Sequence, residues 1–395
     1  MSSLSNTKIQ SILVKLFLLT SFFFPWQLLQ PGRGEYYIIM CLPNLLALGI
    51  IITSIFSNSK IKITGFNIIF SILILIYILI ALFYCIYYHQ GWYWDLINKA
   101  ISFLMFLILM TKCENEFWEQ NNIYRFLMYC IISSCLLSIA MYFLGYDTLC
   151  FQNTHFKLFA HGRYPDKRLS WVYPHKGVYA LLLLLYTAFI LQYRKLFKSL
   201  KAWLAALALT SITLFFTASM TALAALALIY IGYIFNYIKW KSIKRSIKFS
   251  IIIFISIIII PLVIYILKNR DILSLGSRLP IWKASIKSIL SNPNGIALEF
   301  ENYIIWGQAN NCHNIFLNEA LRFSIPVGIS YTLLHLVLLC NIFNKNKYFS
   351  SATCISIFML INIDFTLKVE TLSLYLFMIF ILFFSQNKTI KKFNN

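Results

Sequence analysis

Two stretches of the sequence contain the residue types best suited to chemistry on an anionic group. Arg278 lies in the first, at 277–282, and His313 is the second residue of the other, at 312–320. A guanidinium binds pyrophosphate oxygens through its planar fork of N–H groups, and an imidazole accepts or donates a proton near neutral pH. We therefore predict a catalytic pair in which Arg278 neutralises a pyrophosphate leaving group and His313 transfers a proton. The alternative for a histidine at the mouth of a helix is a structural role.

The elements that must position these residues are transmembrane helices. The chain has 395 residues, of which 60% are hydrophobic and 12% are charged. Soluble domains contain about 45–50% apolar and about 25% charged residues, so this chain could not cover a surface that faces water. Continuous apolar runs such as 66–86 and 249–267 fit helices that cross a hydrocarbon core of about 30 Å. The composition predicts an all-α membrane protein.

The apolar runs divide the chain into about 12 predicted spans within one domain, 1–395. They are 9–30, 36–57, 66–88, 97–112, 122–145, 176–193, 202–217, 219–238, 249–267, 313–343, 350–366 and 371–386. Short basic loops mark the cytoplasmic side, and this number of spans places them all on the side of the N-terminus. We therefore predict a bacterial inner-membrane protein with both termini in the cytoplasm and the site in the periplasm.

The same topology leaves two longer segments outside, at 146–175 and 268–312, the second being a large periplasmic loop late in the chain. Both are basic, against the usual bias, which indicates an anionic ligand at the outer leaflet or contact with anionic membrane lipids. The first segment and the residue after it supply Arg163, Arg168, His175 and Lys176 as candidates for phosphate contact. The aromatic residues at 171–173 could stack on sugar rings or form an interfacial belt.

The second segment contains a predicted short amphipathic helix at 279–290. Its apolar residues gather towards one side and two lysines lie on the other: Ile281, Trp282, Ile286, Ile289 and Leu290 against Lys283 and Lys287. We expect this helix to lie in the plane of the membrane with Trp282 at the level of the headgroups. The turn Asn292-Pro293-Asn294-Gly295 ends it.

Several classes of function are disfavoured by what the sequence lacks. It has no P-loop, no G-x-G-x-x-G, no D-x-D and no C-x-x-C, so we predict neither a metal nor a cofactor, and no nucleic-acid partner. The carboxylates expected at membrane level are Glu319, Asp364 and Glu370, too few for a typical proton-coupled transporter. Cys150 and Cys312 both fall in outer segments and could form a disulfide or stay unpaired.

The late-loop pattern resembles the O-antigen ligase and polymerase superfamily. The resemblance rests on S-R-x-x-x-W from Ser277, N-P-x-G from Asn292, H-N-x-F-L from His313 and the later Gly328. It implies a metal-independent transfer of a glycan from undecaprenyl pyrophosphate in the periplasm. The acceptor is lipid A–core for a ligase, which we favour, or a second lipid-linked repeat unit for a polymerase. A lipid-linked oligosaccharide flippase is a third possibility.

The resemblance also implies roles for particular residues. The loop arginine of the family corresponds to Arg278 and the histidine at its helix mouth to His313. Further candidates for pyrophosphate or glycan contact are Arg163, Arg168, His175, Lys176, Trp282, Asn314 and Glu319. The sequence departs from the family at the turn 217–221, which lacks the arginine that many members carry there, so Arg163 or Arg168 is the expected substitute.

Overall fold

The computed structural model describes the chain in segments and is dominated by helices. The described residues are 2–25, 41–57, 61–88, 93–112, 115–145, 148–150, 157–159, 168–173, 175–237, 278–296, 303–307, 311–343, 348–363, 367 and 369–385. The helices are α1 (Ser2–Phe23), α2 (Leu42–Ile55), α3 (Gly65–Tyr87), α4 (Tyr93–Lys112), α5 (Asn115–Gln120), α6 (Ile123–Phe143), α7 (Lys176–Gln192), α8 (Leu200–Phe216), α9 (Met220–Tyr237), α10 (Arg278–Ser291), α11 (Ile315–Arg322), α12 (Ile325–Phe343), α13 (Phe349–Ile363) and α14 (Val369–Phe383).

Most of the described helices overlap the predicted apolar runs, while the count of about 12 spans stays a prediction. The predicted span 249–267 lies outside the described residues. The predicted span 313–343 is two helices, α11 and α12, separated at Phe323–Ser324, where the Ser324 hydroxyl accepts a hydrogen bond from the amide of Val327 and starts a new helix. Within the described part of the chain, α3, α6 and α12 are long and apolar enough to cross a membrane. Further apolar helices, among them α2, α7 and α8, are shorter, and the set is compatible with a multi-pass membrane protein.

Two helices form the centre of the bundle. Every residue of α7 from Val178 to Leu191 is buried, and so is α14 from Leu372 to Phe383. A helix that is apolar on all sides is expected to be buried on all sides. The outer helix α3 instead exposes large apolar side chains: Ile68, Ile69, Ile72, Leu75 and Leu79. An apolar exposed face of this kind suits contact with lipid rather than water.

The helix ends separate into two groups, which identify the two ends of the bundle. At one end, the Trp171 indole donates to the carbonyl of Phe22 at the end of α1, and the Leu169 amide donates to Phe216 at the end of α8. At the other, the Lys112 ammonium donates to Ile55, and the Gln192 amide donates to Leu382. The first will be called the loop end and the second the basic end. The described basic turn at 194–201 follows α7 at the basic end.

The described residues of segment 146–175 include a feature that the all-α prediction did not contain. Strands β1 (Thr148–Cys150) and β2 (Lys157–Phe159) form an antiparallel two-stranded ribbon in which Leu149 pairs with Leu158. In the chain, the ribbon precedes the segment 168–173.

Candidate functional site

Arg278 is the first residue of α10 and bonds to the last turn of α13. Its Nε donates to the carbonyl oxygen of Ile363 at 2.8 Å. The last carbonyls of a helix have no partner within that helix and carry partial negative charge, so a guanidinium there satisfies one acceptor and is favoured electrostatically. This contact fixes the position of Arg278 next to the C-terminal end of α13.

His313 occupies the turn that leads into α11. Its φ is 48°, in the left-handed region, and the side-chain oxygen of Asn311 accepts a hydrogen bond from its amide at 3.0 Å. Histidine is one of the non-glycine residues that enter this region more often than most, and such positions are frequent at functional sites. The backbone geometry at His313 is therefore specified by its local contacts.

Asn314 caps α11 and connects it to the same end of α13. Its side-chain oxygen accepts hydrogen bonds from the amides of Phe316 and Leu317, and its side-chain nitrogen donates to the side-chain oxygen of Asn362 at 3.0 Å. Asn362 precedes Ile363, the partner of Arg278. The two predicted catalytic stretches, far apart in sequence, therefore meet at 362–363.

The two glycines of the motif have structural roles in this arrangement. Gly295 has a φ of +83°, and a Cβ there would lie 2.3 Å from the carbonyl oxygen of Phe323. The turn at 292–295 is also bonded to the α11–α12 junction, because the amide of Ile325 donates to Pro293 and the amide of Ile296 donates to Leu321. Gly328 allows α12 to pass directly against α11. Gly295 and Gly328 therefore permit the close backbone contacts that position α11 between α10 and α12.

Helix α10 is amphipathic, but its apolar residues divide between two faces. Ile281 and Ile289 are buried against the protein, whereas Ile286 and Leu290 are exposed. The apolar side predicted for 279–290 is therefore divided by packing, because the helix contacts its neighbours along one edge of that side and exposes the other edge. Lys283 and Lys287 are exposed as expected.

Trp282 does not take the exposed position that an anchor in the headgroups would need. Its side chain is half-buried, and its indole nitrogen is buried without a hydrogen-bond acceptor among the described residues. The position leaves its predicted contact with the glycan untested.

The aromatic residues at 171–173 are part of the core. Trp171 and Tyr173 are buried, and their polar atoms donate to the carbonyls of Phe22 and Ser21 at the end of α1. Stacking on sugar rings and an interfacial belt both require exposed rings, so both interpretations are wrong for these two residues. Because the residues 169–173 lie between the ends of α1 and α8, their function is to close the loop end of the bundle.

The basic candidates around this segment have different surroundings. Arg168 is exposed at the loop end, whereas His175 caps α7 by accepting a hydrogen bond from the amide of Gly177 at its Nδ1. Lys176 is the half-buried first residue of that helix. Arg163 lies outside the described residues. Of the four, Arg168 is the one that the structure shows in an exposed position.

The turn at 217–221, where the resemblance would imply an arginine, lies at the same end as Arg278. Helices α9 and α13 are antiparallel, since the Ser356 hydroxyl bonds to Ala225 and a Cβ on Gly232 would meet that of Ala352. This pairing brings the start of α9 close to Ile363. Thr217 and Ser219 of the turn are buried.

A buried charge cluster was missed by the sequence interpretation. Lys99 contacts Glu319 and Asp95, and Arg322 contacts Asp95. Asp95 lies just before the predicted span 97–112 and Lys99 near its start, and neither was named as a candidate. Their spacing of one helical turn was the available signal. The expectation that few buried ionisable residues exist is therefore wrong. The positive and negative charges of this cluster nevertheless compensate one another.

Cys312 is a buried free thiol immediately before His313. A disulfide with Cys150 is therefore absent. Burial raises the pKa of the Cys312 thiol to about 12, so it is protonated at neutral pH and a poor nucleophile. In the described part of the chain, no three His, Cys, Asp or Glu side chains form a group that could hold a metal ion.

The comparisons with known proteins assign no relatives to this chain: no family model matches it, and no curated protein is significantly similar. The chemistry of the site must therefore be argued from its own residues.

Proposed function

We propose that the chain is a bacterial inner-membrane glycosyltransferase of the O-antigen ligase type. It transfers a glycan from undecaprenyl pyrophosphate to a hydroxyl of lipid A–core in the periplasm, as a step of lipopolysaccharide biosynthesis. The observation that carries the proposal is the meeting of Arg278 and the turn 313–314 at Asn362–Ile363. Arg278 and Asn314, the neighbour of His313, are both bonded to one helix end, which supports a site that combines an anion-binding group with a proton-transfer group.

The reaction assigns one role to each residue. The acceptor oxygen forms a bond to the anomeric carbon of the donor sugar, and the bond from that carbon to pyrophosphate oxygen breaks. His313 takes the proton of the acceptor hydroxyl, since a neutral imidazole is a suitable base. Arg278 stabilises the negative charge that develops on the departing undecaprenyl pyrophosphate. The nucleophile comes from the acceptor, and the protein supplies orientation and charge.

Surrounding features support the same substrate class. The donor and the lipid A–core acceptor are both anionic amphiphiles, and α10 presents Lys283 and Lys287 together with exposed Ile286 and Leu290. A basic and apolar surface of this kind suits a site at the boundary between headgroups and acyl chains. Exposed Arg168 adds a cation at the loop end.

The acceptor separates the ligase from the alternative, an O-antigen polymerase. We would express the chain in one strain that lacks its ligase and in another that lacks its polymerase, with the cognate repeat unit made in both. A restored ladder of lipopolysaccharide in the first strain identifies lipid A–core as the acceptor. A ladder restored only in the second identifies a polymerase, and no change in either strain contradicts the proposal.

A further inference from the structure

A balanced group of four charged side chains lies between α4 and α11. The Nζ atom of Lys99 is 2.7 Å from Glu319 Oε2 and 2.9 Å from Asp95 Oδ2. A guanidinium nitrogen of Arg322 is 3.2 Å from the same Asp95 oxygen. The Asp95, Lys99 and Glu319 side chains are each at most 7% exposed. The cluster can be divided into two neutral pairs, Lys99–Glu319 and Asp95–Arg322.

Glu319 is held by two helices at once. The Tyr77 hydroxyl of α3 donates to its Oε1 at 2.5 Å, while Lys99 of α4 donates to both carboxylate oxygens. The Lys99 ammonium also lies 5.1 Å from the centre of the Phe323 ring, directly after α11. These contacts restrict both the rotation of α11 about its axis and its position along that axis.

The restricted helix is the one that follows His313. Helix α11 has 8 residues, too few to be stable without tertiary contacts. Glu319 lies near its middle, and Asn314 caps its first turn. At about 1.5 Å of rise per residue, the carboxylate is only about 9 Å along the helix from the turn at His313. A rigid connection over this distance transmits any displacement of Glu319 to the proposed site.

We propose that the Lys99–Glu319 ion pair positions α11 and thereby the His313–Asn314 turn for transfer. Lys99 and Glu319 are then positioning residues, and Glu319 has no contact with the glycan or pyrophosphate. The inference rests on the proposed function for its kinetic consequence, but the anchoring of α11 is testable without it. Buried ion pairs are often no more stabilising than apolar pairs, so a role in fixing geometry accounts for one at this position.

The test compares single and paired substitutions in the full-length protein. Lys99→Met leaves an excess negative charge, and Glu319→Gln leaves an excess positive charge. The double variant Lys99→Met/Glu319→Gln is charge-balanced and keeps the Asp95–Arg322 pair. Lys112→Met is the matched control, because Lys112 belongs to the same helix and bonds to α2 at the basic end. Its α11 exchange and transfer rate should equal those of the wild type.

Two measurements give the outcome. Hydrogen exchange at the amides of α11 should accelerate at least about tenfold in the folded double variant, while the buried helix α7 stays protected. The kcat for transfer should fall by about tenfold to 100-fold with KM for the lipid-linked donor unchanged, because the turn is displaced and the donor site is intact. A folded double variant with wild-type exchange and wild-type kcat would overturn the inference.

The design remains decisive in two further cases. If the double variant does not fold, Glu319→Asp replaces it, since this change keeps the charge and shortens the side chain by one methylene group. A lowered kcat in folded Glu319→Asp supports positioning, and a wild-type kcat contradicts it. If the wild-type protein transfers no glycan, the proposed function fails, and the exchange measurement alone then decides whether the ion pair anchors α11.

Discussion

Gly328 and Ala320 are in backbone contact where α12 crosses α11. A Cβ atom on Gly328 would lie 2.4 Å from the Cβ and 2.8 Å from the Cα of Ala320. Neither helix has a side chain there that could move aside, so the glycine sets the distance between them. This crossing therefore helps to position α11, the helix that begins after His313.

The first prediction follows from this contact. Gly328→Ala should lower the free energy of unfolding by about 1–3 kcal/mol, because the added methyl group overpacks a helix crossing. Gly65→Ala is the control, since a Cβ at Gly65 meets nothing within 4 Å. Unfolding in mixed micelles with increasing denaturing detergent measures both. Equal stability of the two variants would contradict the crossing.

The second prediction concerns the turn that joins α10 to the α11–α12 junction. In Gly295→Ala, the added Cβ is strained by the left-handed φ and also clashes with the Phe323 carbonyl. In Gly307→Ala, the φ of +58° causes the same kind of strain, but the added Cβ points into open space. We expect a loss of about 1–2 kcal/mol for Gly307→Ala and a larger loss for Gly295→Ala. The same unfolding assay compares them, and the reverse order would show that the turn is not held against Phe323.

The third prediction uses the buried thiol beside His313. Because burial raises the pKa of Cys312 to about 12, it should resist alkylation at neutral pH in the folded protein and react after denaturation. Mass spectrometry of wild type and Cys312→Ser identifies the labelled site. The positive control is Leu290→Cys, at a position 68% exposed on α10. Rapid labelling of native Cys312 would place it at the surface instead.

The fourth prediction concerns the two ends of the bundle. Under the proposed orientation, a membrane-impermeant thiol reagent should label Leu290→Cys in intact spheroplasts. It should label Lys198→Cys only after lysis, because Lys198 lies in the basic turn at the opposite end. Labelling of Lys198→Cys alone in intact spheroplasts would reverse the orientation and place the site in the cytoplasm.

The helices were predictable because apolar runs specify where the chain can be surrounded by lipid or other helices. The separation of α8 and α9 at 217–219 and the position of α10 are examples. The break between α11 and α12 was missed, because 313–343 was taken as one run although its first part contains Asn318, Glu319 and Arg322. A serine cap and the contacts of the preceding turn decide it, and neither changes the mean hydropathy.

The site was predictable only in part. The motifs indicated that Arg278 and His313 belong together, but not that Arg278 bonds to Ile363 and Asn314, the neighbour of His313, bonds to Asn362 at the end of α13. Lys99 could not be connected to Glu319, because the pairing depends on how α4 packs beside α11. Trp171 was taken for a surface residue because aromatic residues near basic ones are typical of membrane interfaces, whereas its indole bonds to α1 in the core.

The central claim is that glycan transfer occurs at Arg278 and His313. The most direct test is the rate of transfer from undecaprenyl pyrophosphate to lipid A–core by purified protein in lipid vesicles, for wild type, Arg278→Ala and His313→Asn. Asparagine tolerates the left-handed φ of His313, so the second change removes the imidazole and preserves the backbone. Lys198→Ala, at an exposed position of the basic turn at the opposite end of the bundle, is the control.

We predict that each site variant loses about 100-fold or more of the transfer rate with unchanged membrane levels and melting temperature, while Lys198→Ala retains the wild-type rate. An Arg278→Ala/His313→Asn double variant that transfers glycan at the wild-type rate would contradict the account.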